Sequence, residues 1–143
     1  MARKTAVVSP APVAKVADSE KITVNLGFVD LGQIDLLVAE GFYGNRTDFI
    51  RTAIRNQLGT HAQEVRELAA RKMLVLGLQQ FSAAQLRAVQ AARQQLQIRV
   101  LGLAVIADDV SPELARATIA SLDVLGALHA SPAVKAALAG RIH

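Results

Sequence analysis

Lys21, Thr23 and Asn25 hold every second position of a short stretch, and their types and spacing carry the clearest chemistry in this 143-residue chain. Ile22, Val24 and Leu26 fill the positions between them. A strand with this alternation turns an apolar face to a core and leaves a polar face free, because successive side chains point to opposite sides. The free face presents a cation, a hydroxyl and an amide, groups that bond to base edges and phosphates. Each residue also has a plainer use as part of a solvated strand.

Other chemistry finds little support. The histidines, His61, His129 and His143, are too scattered to suggest metal ligands, and cysteine is absent, which leaves no disulfide or thiolate site. Asp108-Asp109 precedes a helix start, where a cap or loop role outweighs acid–base or metal work. The glycines fit no phosphate-cradling loop. These observations predict a protein that is not an enzyme and needs neither cofactor nor metal. With no Trp, one Tyr and four Phe, the chain also lacks a stacking platform for single-stranded nucleic acid.

The elements that must position the strand follow it directly. Gly27 breaks the strand, and Asp30 can cap a helix that starts at Leu31, carries Leu31, Ile34, Leu37 and Val38 on one side, and ends at Gly41. After the turn Phe42-Tyr43-Gly44, Asn45 can cap a second helix with Asp48 in its first turn. Phe49, Ile50, Ala53, Ile54 and Leu58 give that helix an apolar stripe, Arg51 and Arg55 lie outside the stripe, and Gly59 can end it. A strand and two helices in under forty residues bury too little surface to stand alone. The lone strand also leaves an unpaired edge, which the same strand of a second copy would satisfy.

This order resembles the ribbon-helix-helix family of CopG-like type. The resemblance rests on Ile22-Thr23-Val24-Asn25-Leu26, the glycine-ended helix, and Asn45-Arg46-Thr47-Asp48 opening the second helix, and it covers roughly residues 20–60. Gly27 stands where many relatives have proline, which touches the strand exit only. The resemblance implies an intertwined homodimer whose two strands form an antiparallel ribbon in the major groove of double-stranded DNA. Lys21, Thr23 and Asn25 would then face bases, and backbone amides around Asn45, Arg46 and Thr47 would hold a phosphate. The physics agrees: Asn can bond bidentately to adenine and Lys can donate to guanine. A helix start offers unpartnered amides at the positive end of its dipole. Tyr43 reads as packing or turn.

The second half starts with Thr60-His-Ala-Gln63, a capping box for a third helix. Val75-Leu-Gly77, Val100-Leu-Gly102 and Val124-Leu-Gly126 then recur at intervals of 25 and 24 residues. Ser82, Ser111 and Ser131 follow them at helix starts, the last two before proline. The stretches Met73–Leu78, Ile98–Ile106 and Ile119–Leu128 thus alternate with helices. Degenerate strand–loop–helix repeats stacked as a small parallel sheet or short solenoid are the favoured reading, and a mostly helical tail the alternative.

The expected organisation is an N-terminal arm (1–20), a ribbon-helix-helix unit (21–60) that is α with one intermolecular ribbon, and an α/β region (61–143) for oligomerisation or a partner. Residues 21–60 balance four cations against four acids, so binding would rest on placed groups rather than a broad basic stripe. The longest uncharged apolar run, Val100 to Ala107, is too short to span a membrane, and a cytoplasmic protein is expected. The expected function is a sequence-specific DNA-binding regulator, a repressor, dimeric through the ribbon and assembled further through residues 61–143. Two alternatives stay open. One is an antitoxin or a plasmid partition or transfer accessory whose second half grips a protein partner, and the other is a structural assembly protein.

Overall fold

A computed structural model describes residues 19–143. Most of the expected arm, residues 1–20, lies outside the described residues. The chain runs through helices α1 (Phe28–Ala39), α2 (Arg46–Thr60) and α3 (Ala62–Arg71) into a repeating region. That region comprises β1 (Val75–Phe81), α4 (Ala83–Ala91), β2 (Leu96–Ile106), α5 (Pro112–Thr118), β3 (Ile119–His129) and α6 (Pro132–Ala137), with a closing 3-10 turn at Ala139–Arg141.

The repeat is real, and it is α/β. The three strands form one parallel sheet in the order β1-β2-β3. Its register aligns Val75 with Val100 and Val124, Leu76 with Leu101 and Leu125, and Gly77 with Gly102 and Gly126. The sequence repeat and the strand ladder therefore coincide residue for residue, and the mostly helical alternative is set aside. All three glycines have positive φ, between 109° and 139°. A methyl group on Gly102 would overlap the Gly77 carbonyl, and one on Gly126 would overlap the Gly102 carbonyl. Glycine is required on β2 and β3 because a neighbouring backbone fills the space of a side chain.

Each of the three helices after a strand starts as its sequence demands. Ser82, Ser111 and Ser131 accept from the amides of Gln85, Leu114 and Val134. Ser82 and Gln85 complete a reciprocal capping box. Asp109 accepts from the amide of Ala83 at 3.2 Å, so one member of the acidic pair caps the start of the preceding repeat's helix. Leu86, Val100, Ala104, Ile106, Ile119, Leu122, Val134 and Leu138 form the centre of a core between these helices and one face of the sheet. The far edge of β3 is partly covered, since Ile142 bridges to Leu122 and the amide of His143 donates to the Leu122 carbonyl.

Three expected helix boundaries are corrected. α1 starts at Phe28 with Gly27 as N-cap, so Asp30 stands inside the first turn and caps nothing by its side chain. There its charge still favours the positive end of the helix dipole. Gly59 does not end α2, which runs on to Thr60, because the helical bonds continue through glycine when nothing replaces them. The expected Thr60 box is also absent: His61 is the N-cap of α3 without a side-chain bond, and the Thr60 hydroxyl donates back to the Gln57 carbonyl. Gly41 does end α1. It sits at φ 83°, its amide donates to Val38 and that of Phe42 to Leu37, the paired bonds of a Schellman stop.

Candidate nucleic-acid interface

Two groups of polar residues define the candidate site, one before α1 and one at the start of α2. Lys21, Thr23 and Asn25 are all exposed, and among the described residues no strand pairs with residues 20–27. The apolar residues between them are bare as well: Ile22 is 72% and Val24 66% exposed. The alternation is therefore present in the sequence, while the described residues supply neither a core for one face nor a neighbour for the edge.

The helices behind the strand share this condition. Among described residues 19–60 only Ile34 is buried. Phe28, Val29 and Leu36 on α1 and Ile50, Ile54 and Leu58 on α2 are exposed, as is Phe42 in the turn. Ile50, Ile54 and Leu58 of the apolar stripe read along the second helix are thus left uncovered by the described residues. An apolar surface of this extent, spread over residues 22–26 and two helices, marks an association surface.

The start of α2 is built tightly. Asn45 Oδ1 accepts from the Asp48 amide at 2.8 Å, and the Asn45 carbonyl accepts from the Phe49 amide. The Asp48 carboxylate turns back and accepts from the Gly44 amide at 2.9 Å. The amides of Arg46 and Thr47, the first two of the helix, remain as donors pointing out of its N-terminus. Tyr43 packs edge-on against Phe49 with centroids 5.0 Å apart, in keeping with its expected packing role.

Arg46 has a use that its place at a helix start does not reveal. Its guanidinium grips Asp35 on α1 with two parallel bonds, at 2.7 and 2.8 Å. The hydrogen bond from Arg46 holds the Asp35 carboxyl below its ordinary range. Both side chains are about half exposed, so the pair serves more as a geometric fork between the two helices than as a source of stability. Asp35 was missed as a site-shaping residue, since it is eleven positions from Arg46 and no spacing rule joins residues on separate helices. The one available signal was an acid in the middle of the first helix, ahead of a second helix that opens with arginine. No hydrogen bond joins Lys21, Thr23 or Asn25 to the α2 start, and the two groups stay on separate elements.

Among the described residues no cluster of three or more His, Asp or Glu could hold a metal ion, and no helix is long and apolar enough to cross a membrane. A family model described as the Ribbon-Helix-Helix transcriptional regulator family matches residues 17–135. The match runs far beyond residue 60 and takes in the three-stranded sheet. No curated protein and no solved structure matches the chain.

Proposed function

The chain belongs to the ribbon-helix-helix transcriptional regulator family and is a DNA-binding regulator in that general sense; from this premise we propose that it is a cytoplasmic, sequence-specific repressor. Two copies pair their 21–26 strands into an antiparallel ribbon that enters the major groove. Lys21, Thr23 and Asn25 read base edges, and the amides at Asn45, Arg46 and Thr47 bind a backbone phosphate at the dipole-positive start of α2. Residues 21–60 act as the DNA-binding unit, and residues 61–143 join copies into larger assemblies.

One observation carries this reading: Ile22 and Val24 in the alternating stretch, Phe28 and Leu36 on α1 and Ile54 and Leu58 on α2 all lie exposed, and only Ile34 is buried among described residues 19–60. A second copy would cover that surface and pair the free strand edge in one step. The conformation of Arg46 supports the role given to its backbone, because the Asp35 fork occupies the side chain and leaves the amide facing outward.

Selection of bound duplexes from a randomised DNA library tests the proposal. A two-fold protein is expected to enrich a short inverted repeat. Recovery of unenriched sequence at all protein concentrations would contradict sequence-specific binding.

A further inference from the structure

The sheet has two faces, and the fold covers one. On the uncovered face the register lines up Leu76, Leu101 and Leu125 in one row and Leu78, Leu103 and Ala127 in the next, either side of the glycine row. None of the six belongs to the buried core. Leu76, Leu78 and Leu125 are 59%, 61% and 47% exposed. Parallel sheets are ordinarily covered on both faces, so a bare leucine face calls for an occupant.

The polar residues around the patch indicate which occupant fits. Arg99 and Asp123 share the row beyond one end, and Gln80, Val105 and His129 the row beyond the other. Along β3, Asp123 lies three residues before Gly126 and His129 three residues after it. A two-fold axis running across the strands at the glycine row would therefore set Asp123 of one sheet opposite His129 of the other, twice. The same axis sets Leu101 opposite Leu103 and Leu76 opposite Leu78. The face thus meets itself with a carboxylate opposite an imidazole along β3, and leucine opposite leucine along β1 and β2.

We infer that the Leu76/Leu78/Leu101/Leu103/Leu125 face packs against the same face of a second copy, strands antiparallel, about a two-fold axis at the glycine row. The inference rests on the proposed joining of copies through residues 61–143 and specifies its surface. Three strands by five residues span roughly 14 by 17 Å. That is well short of the ~800 Å² per partner typical of a stable free complex. The contact therefore forms between copies already concentrated by another link, such as the ribbon, where tethering supplies the missing affinity.

The chain has no cysteine, so directed cross-linking is clean. Full-length Asp123→Cys and His129→Cys chains, carrying different tags, are co-expressed and treated with a short bismaleimide. Facing sheets lie about 10 Å apart, within reach of the linker, whereas two copies of the same position would be more than ~20 Å apart. The expected result is a mixed cross-link between the two chains and none within either alone. Adding Leu101→Gln to both chains is expected to lower the mixed product about tenfold, equivalent to about 1.4 kcal/mol. Circular dichroism on the same samples verifies that the sheet is kept, and Leu103→Gln serves instead if it is lost. Absence of the mixed product, or equal yields from either chain alone, overturns the inference. DNA selection on the same samples separates the two ideas: intact DNA binding without cross-links removes the sheet contact alone, and cross-links without DNA binding remove the regulator reading alone.

Discussion

Gly102 and Gly126 occupy sites where the next strand's carbonyl takes the space of a side chain. Gly77 shares their positive φ, yet nothing lies within 4 Å of where its Cβ would be. The three positions therefore separate two costs that usually occur together. Gly77→Ala carries the backbone cost alone, roughly 1–3 kcal/mol. Gly102→Ala and Gly126→Ala add a clash with backbone and are expected to exceed about 4 kcal/mol or to prevent folding. Urea denaturation of the three variants tests this, and equal losses at all three would show that the carbonyl contact is not what selects glycine. Asp35 gives a second prediction at this scale. Its carboxyl is lowered, so the fork to Arg46 contributes above the unfolded value of about 3.9 and is lost as pH falls through the lower folded value. An NMR titration is expected to find Asp35 below the ordinary carboxylate range, and to find it restored in Arg46→Gln. A lowered value that persists in Arg46→Gln would place its cause elsewhere.

Helix ends differ in how they satisfy the chain. Gly41 stops α1 at φ 83°, whereas Met73 after α3 and Arg93 after α4 take the same left-handed turn, at φ 52° and 55°, with a Cβ in place. Each makes the paired closing bonds of that stop: Met73 and Leu74 donate to Ala70 and Ala69, and Arg93 and Gln94 donate to Gln90 and Val89. Arg93→Gly is therefore expected to stabilise the protein by roughly 1 kcal/mol, opposite in sign to the usual glycine substitution. A lower melting temperature in Arg93→Gly would contradict this. The same elements show what could be read in advance. The serine caps and the Val-Leu-Gly repeats were legible because a cap bond and a strand register are local or periodic, and periodicity survives translation from chain to ladder. Asp30, Gly59 and Thr60 misled because capping residues compete: glycine ends a helix only when the next bonds fail, and around Gly59 they do not. The Asp35–Arg46 fork was illegible because it depends on how two helices meet.

At the scale of the molecule, one chain holds two regions with opposite balances. The sheet region has a core of fully buried Leu, Ile and Val between the helices and one face of the sheet. Described residues 19–60 have a single buried residue and a row of exposed Ile, Val, Leu and Phe. That contrast supports a division of labour, in which the sheet folds within the chain and the DNA-reading ribbon exists only between chains. Because acids and cations balance over residues 21–60, the proposed function assigns discrimination between sites to Lys21, Thr23 and Asn25. The most direct measurement compares binding of wild type and Asn25→Ala to the selected duplex and to random duplex at one salt concentration. Loss of a bidentate base contact is worth about 1–3 kcal/mol, so Asn25→Ala should bind the selected site roughly five- to 150-fold more weakly while its affinity for random DNA stays unchanged. Equal losses on both duplexes, or none on either, would contradict base reading by this strand.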